Sequence, residues 1–159
     1  MTKGAITTFR GLYISNALAC YATVALTLTI LAVGCAPKIA PFSETAYLQA
    51  VELKVISLQL IEQADRPYDE FRDEITALRF ELRKALEFAK GRPHNEYSIG
   101  QWEIMADPER NMLAGFLKRW EETGSISPVF IEEAMKNIAA GFDTIIGLES
   151  GKIRPGDVR

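Results

Sequence analysis

Most catalytic and metal sites are built from histidine, cysteine and paired carboxylates. The 159 residues hold one histidine and two cysteines. The histidine, His94, follows Pro93 in a segment typical of a loop. A zinc site needs three or four ligands, and a di-iron bundle needs Glu-x-x-His pairs on facing helices. Because the sequence supplies no second histidine for such a set, we predict no metal site and no bound cofactor.

Two short motifs near the end of the sequence also suggest chemistry. The segment from Gly147 to Lys152 is one residue shorter than a phosphate-binding loop and lacks the hydroxyl residue after the lysine. We interpret it as a helix end capped by Gly151. Glu149-Ser150 resembles the catalytic pair of lytic transglycosylases, but in that family further motifs follow the pair, and only nine residues follow it here. We therefore predict no catalytic residue and a non-enzymatic role.

Large apolar side chains cluster in the least regular part of the sequence, which spans residues 91–107. Tyr97, Trp102 and Met105 lie there, and Trp120 follows in the next helical segment. Large apolar residues at helical spacing usually pack inward. Tyrosine and tryptophan are also favoured at binding hot spots, so the alternative is a groove for a partner. On that alternative, Tyr97, Trp102 and Met105 are the candidate partner-binding residues.

The elements that must position these residues are helical. No strict apolar/polar alternation and no Asn-Gly or Asp-Gly hairpin signal occurs after the first 42 residues. Apolar residues recur there at helical spacing, with a short helical piece that Ser98 and Gln101 would cap. We predict an all-α fold, an up-down four-helix bundle. The four helices are expected at about residues 44–64, 65–90, 107–123 and 127–150.

Apolar periodicity predicts the buried side of each helix. In the second helix, the apolar residues from Phe71 to Ala89 are spaced 4-3-4-3-4, which is one continuous seam. In the first helix, the larger apolar residues define the expected core face. Those expected core residues are Tyr47, Leu48, Val51, Val55, Leu58 and Ile61.

The first 34 residues differ from the rest in charge. They contain Lys3, Arg10 and no acid, and the stretch of 27 residues from Gly11 to Pro37 carries no charge. The remaining 125 residues hold 16 bases and 21 acids, and no basic cluster predicts nucleic-acid binding. A basic start followed by an apolar segment is typical of an export signal.

This leader ends in Leu31-Ala-Val-Gly-Cys35, which resembles the lipobox of bacterial lipoproteins. The resemblance covers about 35 residues; Ala32 stands where leucine is most usual. It implies cleavage before Cys35 and a lipid on that cysteine, which is favoured over Cys20. We expect a signal peptide at 1–34, a tether at 35–42, the bundle at 43–150 and a loose polar tail at 151–159.

The leader also predicts location. Lys3 and Arg10 keep the N-terminus in the cytoplasm, so the domain faces the periplasm or the cell exterior. The resemblance to bacterial lipoproteins also implies the outer membrane where a cell has two, because Ala36 and not aspartate follows Cys35. An uncleaved membrane helix and simple secretion are the alternatives. We expect a tethered envelope domain that binds a protein partner in assembly, stabilisation or targeting. One alternative is a carrier of lipid or another apolar ligand. The others are a subunit of an inner-membrane complex and an enzyme acting on the cell wall.

Overall fold

The computed structural model describes residues 40–157. The predicted leader, Cys20, Cys35 and most of the predicted tether lie outside these residues. The described chain is all-helical, with five α-helices, two 3-10 turns and no strand. The helices are α1 (Glu44–Ile61), α2 (Arg72–Lys90), α3 (Glu96–Ala106), α4 (Leu113–Thr123) and α5 (Pro128–Glu149), and the turns span Tyr68–Phe71 and Pro155–Asp157.

The all-α class is thus confirmed for residues 40–157, whereas the four-helix bundle is not. Helices α1, α2 and α5 are 18 to 22 residues long. The two helices between α2 and α5, α3 and α4, have 11 residues each. The sequence had predicted one long helix and a minor helical piece in place of α3 and α4. The structure gives the two helices equal length, because α4 begins at Leu113 rather than at Asp107.

The late start of α4 has a steric cause. Residues 107–112 form turns, in which the carboxylate of Asp107 accepts a hydrogen bond from the backbone N–H of Glu109 at 2.9 Å. This loop lies directly on the first turn of α4. A Cβ built on Gly115 would lie 1.8 Å from the carbonyl oxygen of Arg110. Only glycine therefore fits at position 115 with the loop in this position.

The other helix ends agree better with the sequence. The hydroxyl of Ser43 accepts a hydrogen bond from the Ala46 N–H at 3.3 Å, which confirms the predicted N-cap of α1. Gly124 and Gly151 end α4 and α5 with φ of 76° and 71°, values that glycine adopts readily. The predicted capping role of Ser98 is wrong: α3 begins at Glu96, and Ser98 is buried inside it.

Contacts between the helix ends define the topology. At one end, the backbone N–H groups of Tyr68 and Ile126 donate to the carbonyls of Gly124 and Ala64 at 2.8 and 2.7 Å. At the other, Arg92 contacts both Pro41 and Glu149. We call these the Gly124 end and the Arg92 end. Since α1 starts at the Arg92 end, and α2 and α5 finish there, α1 runs antiparallel to both.

The core is continuous and centres on Trp120, which is fully buried. Its indole N–H donates to the carbonyl of Arg66 at 3.0 Å, and the ring of Tyr68 meets it edge-on at 5.9 Å. These contacts hold the chain between α1 and α2 as a 3-10 turn at Tyr68–Phe71, so α2 begins later than the predicted position 65.

The core face of α1 is not the predicted one. The large apolar residues Leu48 and Val55 are 54% and 49% exposed. Three of the six residues that α1 buries are small. Ile61 is the last of the six, and the first five repeat at spacings of 4-3-4-3: Ala46, Ala50, Leu53, Ser57 and Leu60. Of the six residues expected in the core, only Ile61 is fully buried, and Tyr47, Val51 and Leu58 are half-buried. The prediction failed because α1 is apolar on two sides.

The residues after α5 fold back onto it. The backbone N–H of Ile153 donates to the carbonyl of Gly147 at 3.0 Å. The Ile153 side chain lies so close that a Cβ on Gly147 would come within 2.2 Å of its Cδ1. The first residues of the predicted loose tail are thus packed. Within residues 40–157, no helix combines the length and apolar character needed to cross a membrane.

Candidate functional site

Two of the three candidate partner-binding residues lie in the core. Trp102 and Met105 are 3% and 1% exposed. The Trp102 ring meets Phe142 of α5 edge-on, with 6.1 Å between centroids. A Cβ on Gly141 of α5 would lie 2.9 Å from the Met105 sulfur, so α3 and α5 approach closely at this point. The structure therefore places both residues in a helix–helix contact rather than on a surface.

Tyr97, the third candidate, lies on the surface at 49% exposure, in the first turn of α3. Helix α3 begins just after Asn95, whose buried side-chain amide donates to the carbonyl of Ala89 at 3.1 Å. This bond fixes α3 to the end of α2. The structure does not bring Tyr97, Trp102 and Met105 to one surface, and the predicted groove is not formed by them.

His94 is an exposed loop residue with a left-handed backbone, φ 58°. Few residues other than glycine and asparagine adopt this conformation readily. Within residues 40–157, no group of three or more histidine, cysteine or acidic side chains is arranged to hold a metal ion.

The most buried charged contact joins three distant parts of the chain. The guanidinium of Arg92, in the loop after α2, pairs with the carboxylate of Glu149 at the end of α5. The two side chains are 13% and 2% exposed. The same guanidinium donates to the carbonyl oxygen of Pro41 at 2.6 Å. Arg92 thereby fixes the chain that enters α1 to the ends of α2 and α5.

The Arg92–Glu149 contact determines the surroundings of Glu149-Ser150, which resembles a catalytic pair in sequence. A catalytic acid must come within hydrogen-bond distance of its substrate. Glu149 is enclosed: one carboxylate oxygen is bonded by Arg92, and the other is buried without a protein partner. The Ser150 hydroxyl donates to the carbonyl of Gly147 at 3.2 Å, as at an ordinary helix end. The geometry is that of a structural ion pair.

Among the described helices, α1 has the most exposed large apolar residues. We call Leu48, Val51 and Val55 the α1 outer face; they are spaced by three and four residues, and Leu48 and Val55 are the more exposed. Ile56 lies beside them at 42% exposure. At its edge, the Lys54 ammonium pairs with Asp143 of α5 at 2.5 Å. An exposed apolar helix face of this kind is characteristic of helix-in-groove recognition.

A shallow groove of about 480 Å³ lies between α2, α3 and α4. Leu82, Ala106 and Ala114 form its floor, and basic side chains stand at its edge. One of these, Arg79, donates to the Glu121 carboxylate at 2.8 Å. This hydrogen bond lowers the pKa of Glu121, partly offset by desolvation. The other bases at the edge are Arg83 and Lys118.

Sequence reasoning missed the role of Arg92 and the outward face of α1. For Arg92 no local signal existed, because its partner is 57 residues away. For α1 the sequence contains two apolar sides at helical spacing, one from Ala46 to Leu60 and one from Leu48 to Leu58, and spacing alone does not rank them.

Comparison with known proteins adds no identification. No protein-family model, no curated protein and no solved structure matches the chain.

Proposed function

We propose that this protein is an envelope lipoprotein, anchored through a lipid on Cys35, whose helical domain binds a protein partner in assembly, stabilisation or targeting. The lipobox-like end of the leader supports the anchor. The observation that supports partner binding is the α1 outer face, where Leu48 and Val55 remain 54% and 49% exposed although the domain has a complete core without them. Exposing such residues without a partner has no evident structural benefit.

The anchor is tested by the intact mass of protein extracted from membranes, wild type beside Cys35→Ala. A mass that begins at Cys35 and includes acyl groups, absent from the variant, is the expected result. A full-length mass for both proteins would contradict the lipoprotein and favour an uncleaved membrane helix. The protein would then be a candidate subunit of an inner-membrane complex.

Partner binding is tested by Val55→Lys. Tagged full-length protein is crosslinked in its own cells, and the captured proteins are compared with those of Phe80→Lys. Phe80 is a matched control, since it is 57% exposed on a different helix, α2. We expect one envelope protein to be captured by wild type and Phe80→Lys and lost with Val55→Lys, with unchanged thermal stability. Equal capture by all three would reject the α1 outer face as the partner site.

The carrier alternative has its own observation. The groove between α2, α3 and α4 has a volume within the usual range of small-molecule sites, about 300–1,000 Å³. Its apolar floor and its basic edge suit an anionic amphiphile. Native mass spectrometry of the purified protein tests this alternative. A co-purified amphiphile that is lost on Arg83→Glu would support the carrier over the partner-binding domain.

A further inference from the structure

The chain enters the domain at a fixed point. The carbonyl oxygen of Pro41 accepts a hydrogen bond from Arg92 at 2.6 Å, and Arg92 is held in turn by the buried Glu149. The entry point therefore belongs to the Arg92 end. The residues between Cys35 and Pro41 connect it to the proposed anchor.

The length of that connection restricts how the domain can face a membrane. Cys35 precedes Pro41 by six residues. A fully extended chain covers at most about 3.6 Å per residue, so this connection spans no more than about 22 Å. The 22 residues of α5 extend from the Gly124 end to the Arg92 end, a distance of about 33 Å at 1.5 Å per residue. With Cys35 at the bilayer surface, the Gly124 end cannot turn to face it.

Two exposed aromatic side chains lie at the Arg92 end. Phe42, next to the fixed entry point, is 65% exposed, and its ring lies 6.4 Å from that of Tyr47. Tyr97 is 49% exposed in the first turn of α3. Tyrosine and tryptophan are enriched at the level of lipid headgroups, where an apolar ring and a polar edge are both accommodated, and the Phe42 ring adds apolar surface at the same end. Their position therefore suits contact with lipid.

The Arg92 end carries exposed charges of both signs. The exposed side chains of Lys152 and Arg154 follow Glu149 closely and can reach lipid phosphates, while exposed Glu44 and Glu96 lie within two residues of Phe42 and Tyr97. On the α1 outer face the arrangement differs. Exposed Glu52 lies between Leu48 and Val55, and the nearest base, Lys54, is paired with Asp143. A side-on approach would press that carboxylate against the phosphates.

We propose that the Arg92 end of the domain rests on the surface of the lipid bilayer, with Phe42 and Tyr97 in the headgroup region. This inference rests on the proposed anchor at Cys35. It changes the occupant expected at Tyr97 from a protein partner to lipid. It also leaves the α1 outer face and the Gly124 end turned toward the surrounding compartment, where a partner can reach them.

The test uses full-length protein carrying a single added cysteine, produced in bacterial membranes and reconstituted into vesicles of phosphatidylethanolamine and phosphatidylglycerol. Tyr97→Cys, Val55→Cys and Val129→Cys are labelled with a fluorophore, and nitroxide groups on the lipid headgroups act as quenchers. Val129 is a matched control because it is 72% exposed at the Gly124 end. We expect a loss of emission at position 97, as for a group at headgroup depth, and none at 55 or 129.

The outcomes separate this inference from the proposed anchor. A wild-type protein that floats with the vesicles, takes up no label and has an intact mass beginning at Cys35 with acyl groups has its anchor on Cys35 and no free thiol. With such a protein, equal emission at positions 97 and 129 would overturn the end-on contact while the anchor stands. Quenching at position 55 would overturn it in favour of a side-on domain. A protein that does not float would overturn the anchor, and the contact with it.

Discussion

Helices α1 and α2 bury the same pattern of positions and yet differ in what they leave exposed. The buried residues of α2 after Phe71 follow spacings of 3-4-3-4, and those of α1 follow 4-3-4-3. In α2 the exposed residues are mostly charged, although Phe80 and Phe88 are exposed as well. In α1 half of the six buried residues are alanine or serine, and Leu48 and Val55 face outward.

The comparison teaches that spacing locates the buried face of a helix when its other residues are mostly charged, as in α2, whereas the two apolar sides of α1 are distinguished only by how its neighbours pack. Alanine and serine at the buried positions of α1 let neighbouring backbones approach closely, while larger residues outside remain available for another contact. Substitutions at matched positions of the two helices test this interpretation.

The largest expected effect is at Leu82 of α2, which is 2% exposed. Leu82→Ala removes a buried side chain and leaves a cavity, so we expect a loss of about 2–5 kcal/mol in the free energy of unfolding. Leu48→Ala, the same change on the α1 outer face, should stay within about 0.5 kcal/mol. Urea denaturation of both variants measures the difference. Similar losses would show that Leu48 packs in the core.

The next effect concerns the attachment of α1 to the Arg92 end. Arg92→Ala leaves the Glu149 carboxylate buried without a cation, and removing one partner of a buried pair typically costs about 3–5 kcal/mol. Since Arg92 retains 13% exposure, we expect a value toward the lower limit. Adding Glu149→Gln to the variant should recover part of the loss in thermal denaturation. A double variant less stable than Arg92→Ala would show that Glu149 contributes by another contact.

A smaller effect is expected from filling the close contact of α1. Ala50 has no exposed surface, so Ala50→Leu should cost about 1–3 kcal/mol by overpacking. Ala77→Leu is the matched control, because Ala77 is exposed on α2. Thermal denaturation of the two variants distinguishes them. If Ala50→Leu were neutral, the small residues of α1 would not be needed for close packing.

The smallest effect is the pH dependence of the Arg79–Glu121 pair, which joins the outer side of α2 to α4. Because the pKa of Glu121 is lowered in the folded state by the hydrogen bond from Arg79, its stabilisation is present above the unfolded value of 4.5. It is lost as the pH falls below that value. Both side chains are more than a third exposed, so less than about 1 kcal/mol is at stake. Glu121→Gln should reduce the fall in stability between pH 6 and pH 3; an unchanged slope would show that the pair contributes nothing.

The sequence by itself determined the helical class, the seam of α2, the Ser43 cap and the ends at Gly124 and Gly151. Each of these depends on residues within one or two helical turns, where periodicity and backbone preference act directly. For Tyr97, Trp102 and Met105 the sequence identified the apolar cluster, but not which members are buried.

Only the tertiary structure decided the rest. The side of α1 that faces the core depends on how closely its neighbours approach, and two apolar sides of one helix cannot be ranked by periodicity alone. The start of α4 depends on a loop that closes over Gly115. The fixed entry of the chain depends on Arg92 meeting Pro41 and Glu149, 51 and 57 residues away. Contacts over such distances arise from the packing of whole helices, which no local pattern in the sequence encodes.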